Sequence, residues 1–151
     1  LLRIAIMKKT ILTILFLLTL TQAKEIQIYE SPTCGCCDLW ADYMKAKGYE
    51  VSVHKTNDFL KIKEKMGIKD EYQSCHTGVI EGYAIEGHVP ESAIAWLLEN
   101  KPKDVIGISA PGMPQGSPGM EQGYSEKYPV ILMKKDGSYE LYGYFIGDKK
   151  L

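Results

Sequence analysis

Apolar residues recur with two different spacings between Lys24 and about Lys101. In "EIQIYE" and "YEVSVH" they occupy every second position, a period that is typical of strands. Between these stretches, "CCDLWADYMKAKG" places Trp40, Tyr43 and Met44 on one helical face before a glycine ends the pattern. The spacing therefore predicts a strand, a helix and a second strand in that order.

The same two spacings continue after the second strand. Phe59, Ile62 and Met66 share one face of a second predicted helix. The lysines between them are expected on its solvated side: Lys61, Lys63 and Lys65. "TGVI" and "YAI" flank Glu81-Gly82, and a glycine in a two-residue turn is typical of a β-hairpin. "PESAIAWLLEN" then predicts a third helix.

This order of elements, β-α-β-α-β-β-α, is that of a thioredoxin-like α/β fold. A right-handed crossover makes the first two strands parallel, and the hairpin makes strands three and four antiparallel to each other. In such a fold the third strand lies beside the first and runs in the opposite direction. Residues 102–151 are predicted to form a Met/Pro/Gly loop and a C-terminal β-hairpin that turns at Asp136-Gly137.

The start of the chain has a different composition. Met7-Lys8-Lys9 precedes an apolar run from Ile11 to Leu20 and the small residue Ala23, which is typical of a cleavable secretory signal and too short for a membrane span. We expect Met7 to be the start of translation. Residues 1–23 are then upstream and signal residues, and residues 24–151 form a single exported domain.

Charge excludes one class of partner. Residues 1–23 carry three of the 18 basic residues and none of the 19 acidic ones, so the exported domain has a net charge of −4. An acidic domain is a poor fit to nucleic acid. No stable membrane insertion is expected after the signal is cleaved.

Three of the four cysteines lie together in "SPTCGCCDLW", just after the first strand. Cys34 and Cys37 have the C-x-x-C spacing of a thiol–disulfide exchange site, whereas Cys36 has no role in simple exchange. The predicted topology places Cys75, at the start of the third strand, on the same rim of the sheet. The histidines are expected on this rim as well: His54, His76 and His88. A solvated or structural role is favoured for His54.

Clustered thiolates favour a soft metal ion over simple exchange. Each additional thiolate adds a ligand or a bridge to a soft-metal site, whereas exchange gains little from a third thiol. A structural zinc site more often uses two separated pairs of ligands, and here the cysteines divide three to one. Met113 and Met120 lie in the unpatterned loop "APGMPQGSPGMEQG" and offer thioether ligands, which Cu(I) accepts. Copper is therefore favoured over zinc.

Four motifs taken together resemble the CopG-like family of exported copper-resistance proteins, formerly a domain of unknown function: "CGCC", "SCHT", "EGYAIEGHVPESAI" and "GISAPGMPQGSPGME". The resemblance implies a periplasmic, thioredoxin-like domain that binds several copper ions bridged by cysteine sulfur atoms. It implies cysteine ligands at Cys34, Cys36, Cys37 and Cys75. Other residues of the matched motifs are further candidate ligands: His76, His88, Met113 and Met120.

We therefore predict an extracytoplasmic protein that holds Cu(I), as a cysteine-bridged cluster, in copper resistance or homeostasis. Its expected partners are copper ions and other exported copper-handling proteins, and no catalytic residue is assigned. Two alternatives stay open. A thiol–disulfide oxidoreductase would use Cys34 and Cys37, although "CHTGV" lacks the proline that such enzymes place before the third strand. The other alternative is a zinc-stabilised or disulfide-stapled interaction module.

Overall fold

An eight-stranded mixed sheet runs through residues 22–151, which are the residues that the computed structural model describes. Its strands are β1 Glu25–Glu30, β2 Glu50–Lys55, β3 Thr77–Ile80, β4 Tyr83–Glu86, β5 Val105–Ser109, β6 Tyr128–Lys134, β7 Tyr139–Ile146 and β8 Lys149–Lys150. The helices are α1 Gly35–Ala46, α2 Phe59–Met66 and α3 Glu91–Asn100, and a 3-10 turn spans Asp70–Tyr72. The predicted signal segment falls almost entirely outside the described residues. None of the helices described has the length and hydropathy needed to cross a membrane.

The strand order in the sheet is β2-β1-β3-β4-β5-β6-β7-β8. β1 pairs with β2 in parallel and with β3 in antiparallel orientation, and β3 and β4 form an antiparallel pair. The predicted parallel pair, the reversed third strand and the hairpin are therefore confirmed. The protein is a mixed α/β protein in which the ends of β1 and the start of β3 meet at one rim.

The sequence pattern predicts both hairpins of the sheet but misses one of its strands, β5. Glu81 and Gly82 both have positive φ, 49° and 83°, which is the backbone of a two-residue hairpin turn. β6 and β7 form the predicted C-terminal hairpin. β5 was not predicted, because a central strand covered on both faces has a short continuous apolar run and no alternation.

The main core lies between the sheet and helices α1 and α3. It contains Trp40 and Met44 of α1, Ile94 and Leu97 of α3, and the inward residues of β1. The Trp40 indole N–H donates to the carbonyl of Val89, 3.0 Å away, which ties α1 to the segment before α3. A smaller cluster lies near the end of α2 and contains Ile68, Tyr72, Ala84, Ile131 and Met133.

Helix α2 differs from its prediction in one residue. Lys61 and Lys65 are exposed as expected, but the Lys63 side chain is only 1 % exposed, so its assignment to the solvated face is wrong. Lys63 lies four positions after Phe59 and therefore on the same helical face. Its ammonium reaches a carboxylate inside the sheet, that of Glu86.

Candidate metal centre

The end of β1 and the first turn of α1 position three of the cysteines. Cys34 is the N-cap residue of α1, and Cys36 and Cys37 lie in its first turn. Cys37 is buried, whereas Cys34 and Cys36 are half-buried. Helix geometry therefore brings the three sulfur atoms to one end of α1.

Cys34 and Cys37 form a disulfide, with their Cα atoms 5.3 Å apart. Cys36 and Cys75 are free thiols. The Sγ atom of Cys36 lies 3.6 Å from that of Cys34. The site therefore combines a closed C-x-x-C pair with two thiols, and all four become ligands only after the disulfide is reduced.

The antiparallel pairing of β1 and β3 brings in the fourth cysteine. Cys75 precedes β3, whose residue Thr77 pairs with Tyr29 near the end of β1. As a result, the Sγ atoms of all four cysteines lie within 4.8 Å of one another. No local pattern around Cys75 contains this information, because its position depends on the pairing of distant strands.

Two histidines extend the cluster on the Cys75 side. A ring nitrogen of His76 and one of His88 lie within 4.8 Å of the Cys75 sulfur and of each other. Cys75 Sγ is 3.3 Å from His76 Nδ1 and 3.1 Å from His88 Nε2. Both histidine side chains are buried. Cys75 therefore belongs both to a four-sulfur group and to a group with two imidazoles.

Hydrogen bonding orients the His88 ring. His88 Nδ1 lies 2.7 Å from the carbonyl oxygen of Pro118, and this nitrogen must carry the hydrogen because a carbonyl only accepts. His88 Nε2 is then left with its lone pair toward Cys75. His76 Nε2 is buried and has no hydrogen-bond partner among residues 22–151. The nitrogen of His76 that lies near Cys75 is the other one, Nδ1.

Burial disfavours the charged forms of Cys75, His76 and His88. It raises the pKa of the Cys75 thiol to about 12, and the nearby Cys36 adds to the rise. Burial also lowers the pKa of His76 well below its usual range and lowers the pKa of His88. A soft metal ion that binds Cys75 must therefore displace the thiol proton, while the imidazoles are already in their metal-binding form.

The loop of residues 110–127, here called the covering loop, returns to the cysteine end of α1. A Cβ atom on Gly119 would lie 2.8 Å from the Trp40 amide nitrogen and 3.0 Å from both the Cys36 carbonyl oxygen and His88 Nδ1. In this loop Met120 is 4 % exposed and Met113 is 48 % exposed. The two methionines thus have different environments, one inside the packed loop and one in solvent.

His54 lies outside both ligand groups. Its Nε2 atom is 2.6 Å from Gln27 Oε1, and its ring stacks on Tyr29 with the ring centroids 4.8 Å apart. The side chain is exposed. These contacts agree with the structural role that was favoured for it.

Sequence reasoning missed Glu30, a buried carboxylate next to the cysteine segment. Neither of its oxygens has a hydrogen-bond partner among the described residues, and the Lys55 ammonium is 3.7 Å from Oε1. Burial, followed by the negative charge of Asp38, raises the pKa of Glu30 to about 7. The sequence did indicate that Glu30 is buried, because it continues the alternation in which Ile26 and Ile28 face the core.

The fold and the site together define a mixed α/β protein with a cysteine- and histidine-rich candidate metal centre. A family described as a protein of unknown function, DUF411, matches residues 72–120. That segment includes Cys75, His76, His88 and Met120 but not the cysteines of α1. No match was found among curated proteins.

Two solved structures extend the comparison to most of the chain. Form 2 of the copper resistance protein CopG is 35 % identical, with a TM-score of 0.78, and the match covers 82 % of this chain and 99 % of that one. Form 1 is also 35 % identical, with a TM-score of 0.77, over 82 % of this chain and 98 % of that one. The chain belongs to the CopG family of copper resistance proteins.

Proposed function

We propose that this protein binds Cu(I) through the thiolates of Cys34, Cys36, Cys37 and Cys75 and serves copper resistance or homeostasis. The observation that carries the proposal is the convergence of the four sulfur atoms within 4.8 Å of one another. Thiolates are the ligands that Cu(I) prefers, and closely spaced thiolates can bridge ions. The two CopG structures, which are of a copper resistance protein, support the same role.

The neighbouring donors fit a site that holds more than one ion. His76 and His88 offer neutral imidazole nitrogens beside Cys75, so an ion on this side has both sulfur and nitrogen ligands within reach. Met120 and Met113 provide thioethers in the covering loop, and the exposed Met113 suits transfer of copper to or from other exported proteins. The proposal therefore gives the cysteines the storage role and the methionines an auxiliary one.

The redox state of Cys34 and Cys37 controls how many thiolates are available. Their disulfide removes two of the four sulfur ligands, and reduction by two electrons restores both. We propose that the copper-binding form is the reduced one. The same proposal includes a thioredoxin-like domain over residues 24–151, exported to the periplasm after loss of residues 1–23.

The test is a titration of the reduced protein with Cu(I), without oxygen, followed by a count of metal ions per chain. More than one Cu(I) per chain is expected, and Cys36→Ser should lower both the count and the affinity because it removes a possible bridge. His54→Ala is the matched control, since His54 lies outside both ligand groups. Unchanged binding in Cys36→Ser would contradict the cluster. Preference for Zn(II) in the same titration would favour the zinc-stabilised module.

A second candidate function, thiol–disulfide exchange, is favoured by one observation, the disulfide between Cys34 and Cys37. An exchange enzyme needs these two cysteines and no other. Cys36→Ser therefore separates the two functions. Full disulfide-reductase activity in this variant, together with unchanged copper binding, would support exchange over copper storage.

A further inference from the structure

Behind Cys75 lies an ion pair that is almost completely enclosed. The side chains of Lys63 and Glu86 are 1 % and 0 % exposed. The Lys63 ammonium donates to Glu86 Oε1 and to the hydroxyl oxygen of Thr77, which is 3.0 Å away. Helix α2 is thereby joined to β3 and β4 at Thr77, two residues after Cys75, and at Glu86.

The Glu86 carboxylate holds the backbone on both sides of Cys75 and His76. Its Oε1 atom accepts the amide N–H of Ser74, 2.8 Å away, and its Oε2 atom accepts the Thr77 hydroxyl, 2.7 Å away. The amide N–H of Gly87, the next residue, donates to the carbonyl of His76 at 3.0 Å. Ser74, His76 and Thr77 are thus attached to Glu86 and Gly87 at the end of β4.

Stability alone is a weak explanation for this ion pair. A buried pair of charges contributes little beyond well-packed apolar residues of the same volume, because both ions lose their hydration. The directions of its hydrogen bonds, in contrast, are specific. They fix the residue before Cys75 and the residue after His76, which leaves these two side chains little freedom to turn away from Cys36 and His88.

We propose that Glu86, with Lys63 as its counter-charge, is a positioning residue that keeps Cys75 and His76 in the metal centre. The proposal rests on the proposed copper-binding function for its metal readout. Outer residues that orient metal ligands typically change metal affinity by about 10–100-fold when they are replaced. An effect of that size on Cu(I) affinity is expected when the anchor of the Ser74 amide is lost.

Two double variants separate the hydrogen bond from Ser74 to residue 86 from the charges of Lys63 and Glu86. In Lys63→Met/Glu86→Gln, no charge is buried and the glutamine oxygen still accepts the Ser74 N–H. In Lys63→Met/Glu86→Leu, the acceptor is lost in a side chain of similar volume. We expect the leucine variant to bind Cu(I) about 10–100-fold more weakly than the glutamine variant. Lys65→Met, an exposed change in the same helix, should bind like the unchanged protein.

Two further measurements make the result specific to positioning. In the metal-free protein, the Ser74 amide should exchange its hydrogen faster in the leucine variant than in the glutamine variant. The reduction potential of Cys34 and Cys37 should be the same in both, because Glu86 contacts the Cys75 segment and not α1. Equal exchange rates, or equal Cu(I) affinities despite different exchange rates, would overturn the proposal.

The outcomes also distinguish this proposal from the copper function. If the unchanged protein binds no Cu(I), the proposed function fails, and the exchange rates alone decide whether Glu86 anchors Ser74. If the leucine variant does not fold, Thr77→Val replaces it, since it keeps the side-chain shape and removes the hydroxyl that donates to Glu86 and accepts from Lys63. Weaker Cu(I) binding with an unchanged Cys34–Cys37 potential then supports positioning, and unchanged Cu(I) affinity refutes it.

Discussion

At the scale of single residues, Glu30 illustrates how strand register can bury a carboxylate. Its side chain points to the same face of β1 as Ile26 and Ile28, toward the main core. The Lys55 ammonium compensates the charge of Glu30 only in part, because it also pairs with Asp38 at 2.8 Å. The protonation of Glu30 is therefore coupled to folding.

This coupling predicts a pH dependence of stability. The pKa of Glu30 is raised from 4.5 to about 7 in the folded protein, so between these values the folded protein holds a proton that the unfolded chain has released. The free energy of unfolding should therefore fall as pH rises from 4.5 to about 7. Glu30→Gln should remove the part of this fall that is due to Glu30. Above pH 7 the variant should therefore have the larger free energy of unfolding.

Denaturant unfolding of the metal-free, disulfide-bonded protein at a series of pH values measures this difference. Glu25→Gln, an exposed change in the same strand, is the control and should leave the slope intact. If the free energy of unfolding changes with pH equally in the unchanged protein and in Glu30→Gln, the pKa of Glu30 is not raised by folding and the prediction is wrong.

At the scale of elements, the covering loop has an ordered structure without being a helix or a strand. Its turns are closed by backbone hydrogen bonds from Gly116 to Met120, 2.8 Å, and from Met120 to Ser117, 2.7 Å. The loop meets the site at Pro118, which accepts from His88, and at Gly119, which packs on α1. The element therefore orients one of the histidines in addition to covering the site.

Gly119→Ala should weaken metal binding, because it should displace the loop and its hydrogen bond from His88 to the Pro118 carbonyl. Gly119 has a φ of +86°, and an added Cβ would press on the backbone of Trp40 and Cys36 as well as on the His88 ring. We expect Cu(I) affinity to fall by about 10–100-fold, as for other losses of a hydrogen bond that orients a ligand. Competition with a chromophoric Cu(I) chelator measures the change.

The control for this variant is Gly123→Ala. Gly123 also has a positive φ, +96°, but an added Cβ would meet no atom within 4 Å. The two variants therefore share the backbone strain and differ in the contact with the site. Similar Cu(I) affinities for both would mean that the loop does not orient His88.

At the scale of the whole molecule, the candidate metal centre joins segments that are far apart in the chain. Its candidate sulfur ligands lie at the start of α1 and at Cys75 before β3, next to His76, and the second histidine, His88, lies in the connection between β4 and α3. A metal ion bound to all of them links these segments in the folded state only. Copper binding should therefore stabilise the fold as a unit.

Thermal unfolding should detect this linkage in a redox-dependent way. When free Cu(I) is held at about 100 times the dissociation constant of the reduced protein, one bound ion adds about 2.7 kcal/mol to the free energy of unfolding of that form. The reduced protein should gain at least this much. The disulfide-bonded protein should gain less at the same Cu(I) concentration, because two of its sulfur atoms are not thiolates. An equal gain in both redox forms would contradict a role for Cys34 and Cys37 as ligands.

Local pattern was sufficient for most elements of the fold. The alternation in "EIQIYE", the glycine turn at Gly82 and the helical face of Trp40 depend on neighbours only a few residues away, and the structure has the predicted strand, hairpin and helix at these positions. The cysteine spacing likewise predicted a candidate site at the start of α1, where the structure brings the sulfur atoms together. Pattern failed for Lys63, because its charge predicts solvent while its partner Glu86 is distant in sequence.

The sequence by itself determined the order of the elements from β1 to α3, and it predicted a soft-metal site around "CGCC" with Cys75 on the same rim through the expected strand order. Only the tertiary structure decided the distances among the four sulfur atoms, the second group formed by Cys75 with His76 and His88, and the hydrogen bond that orients His88. The physical reason is the range of the interactions. Periodicity and turn preference act over a few residues, whereas a ligand set and a buried ion pair depend on how distant strands pair and which side chains this pairing brings together.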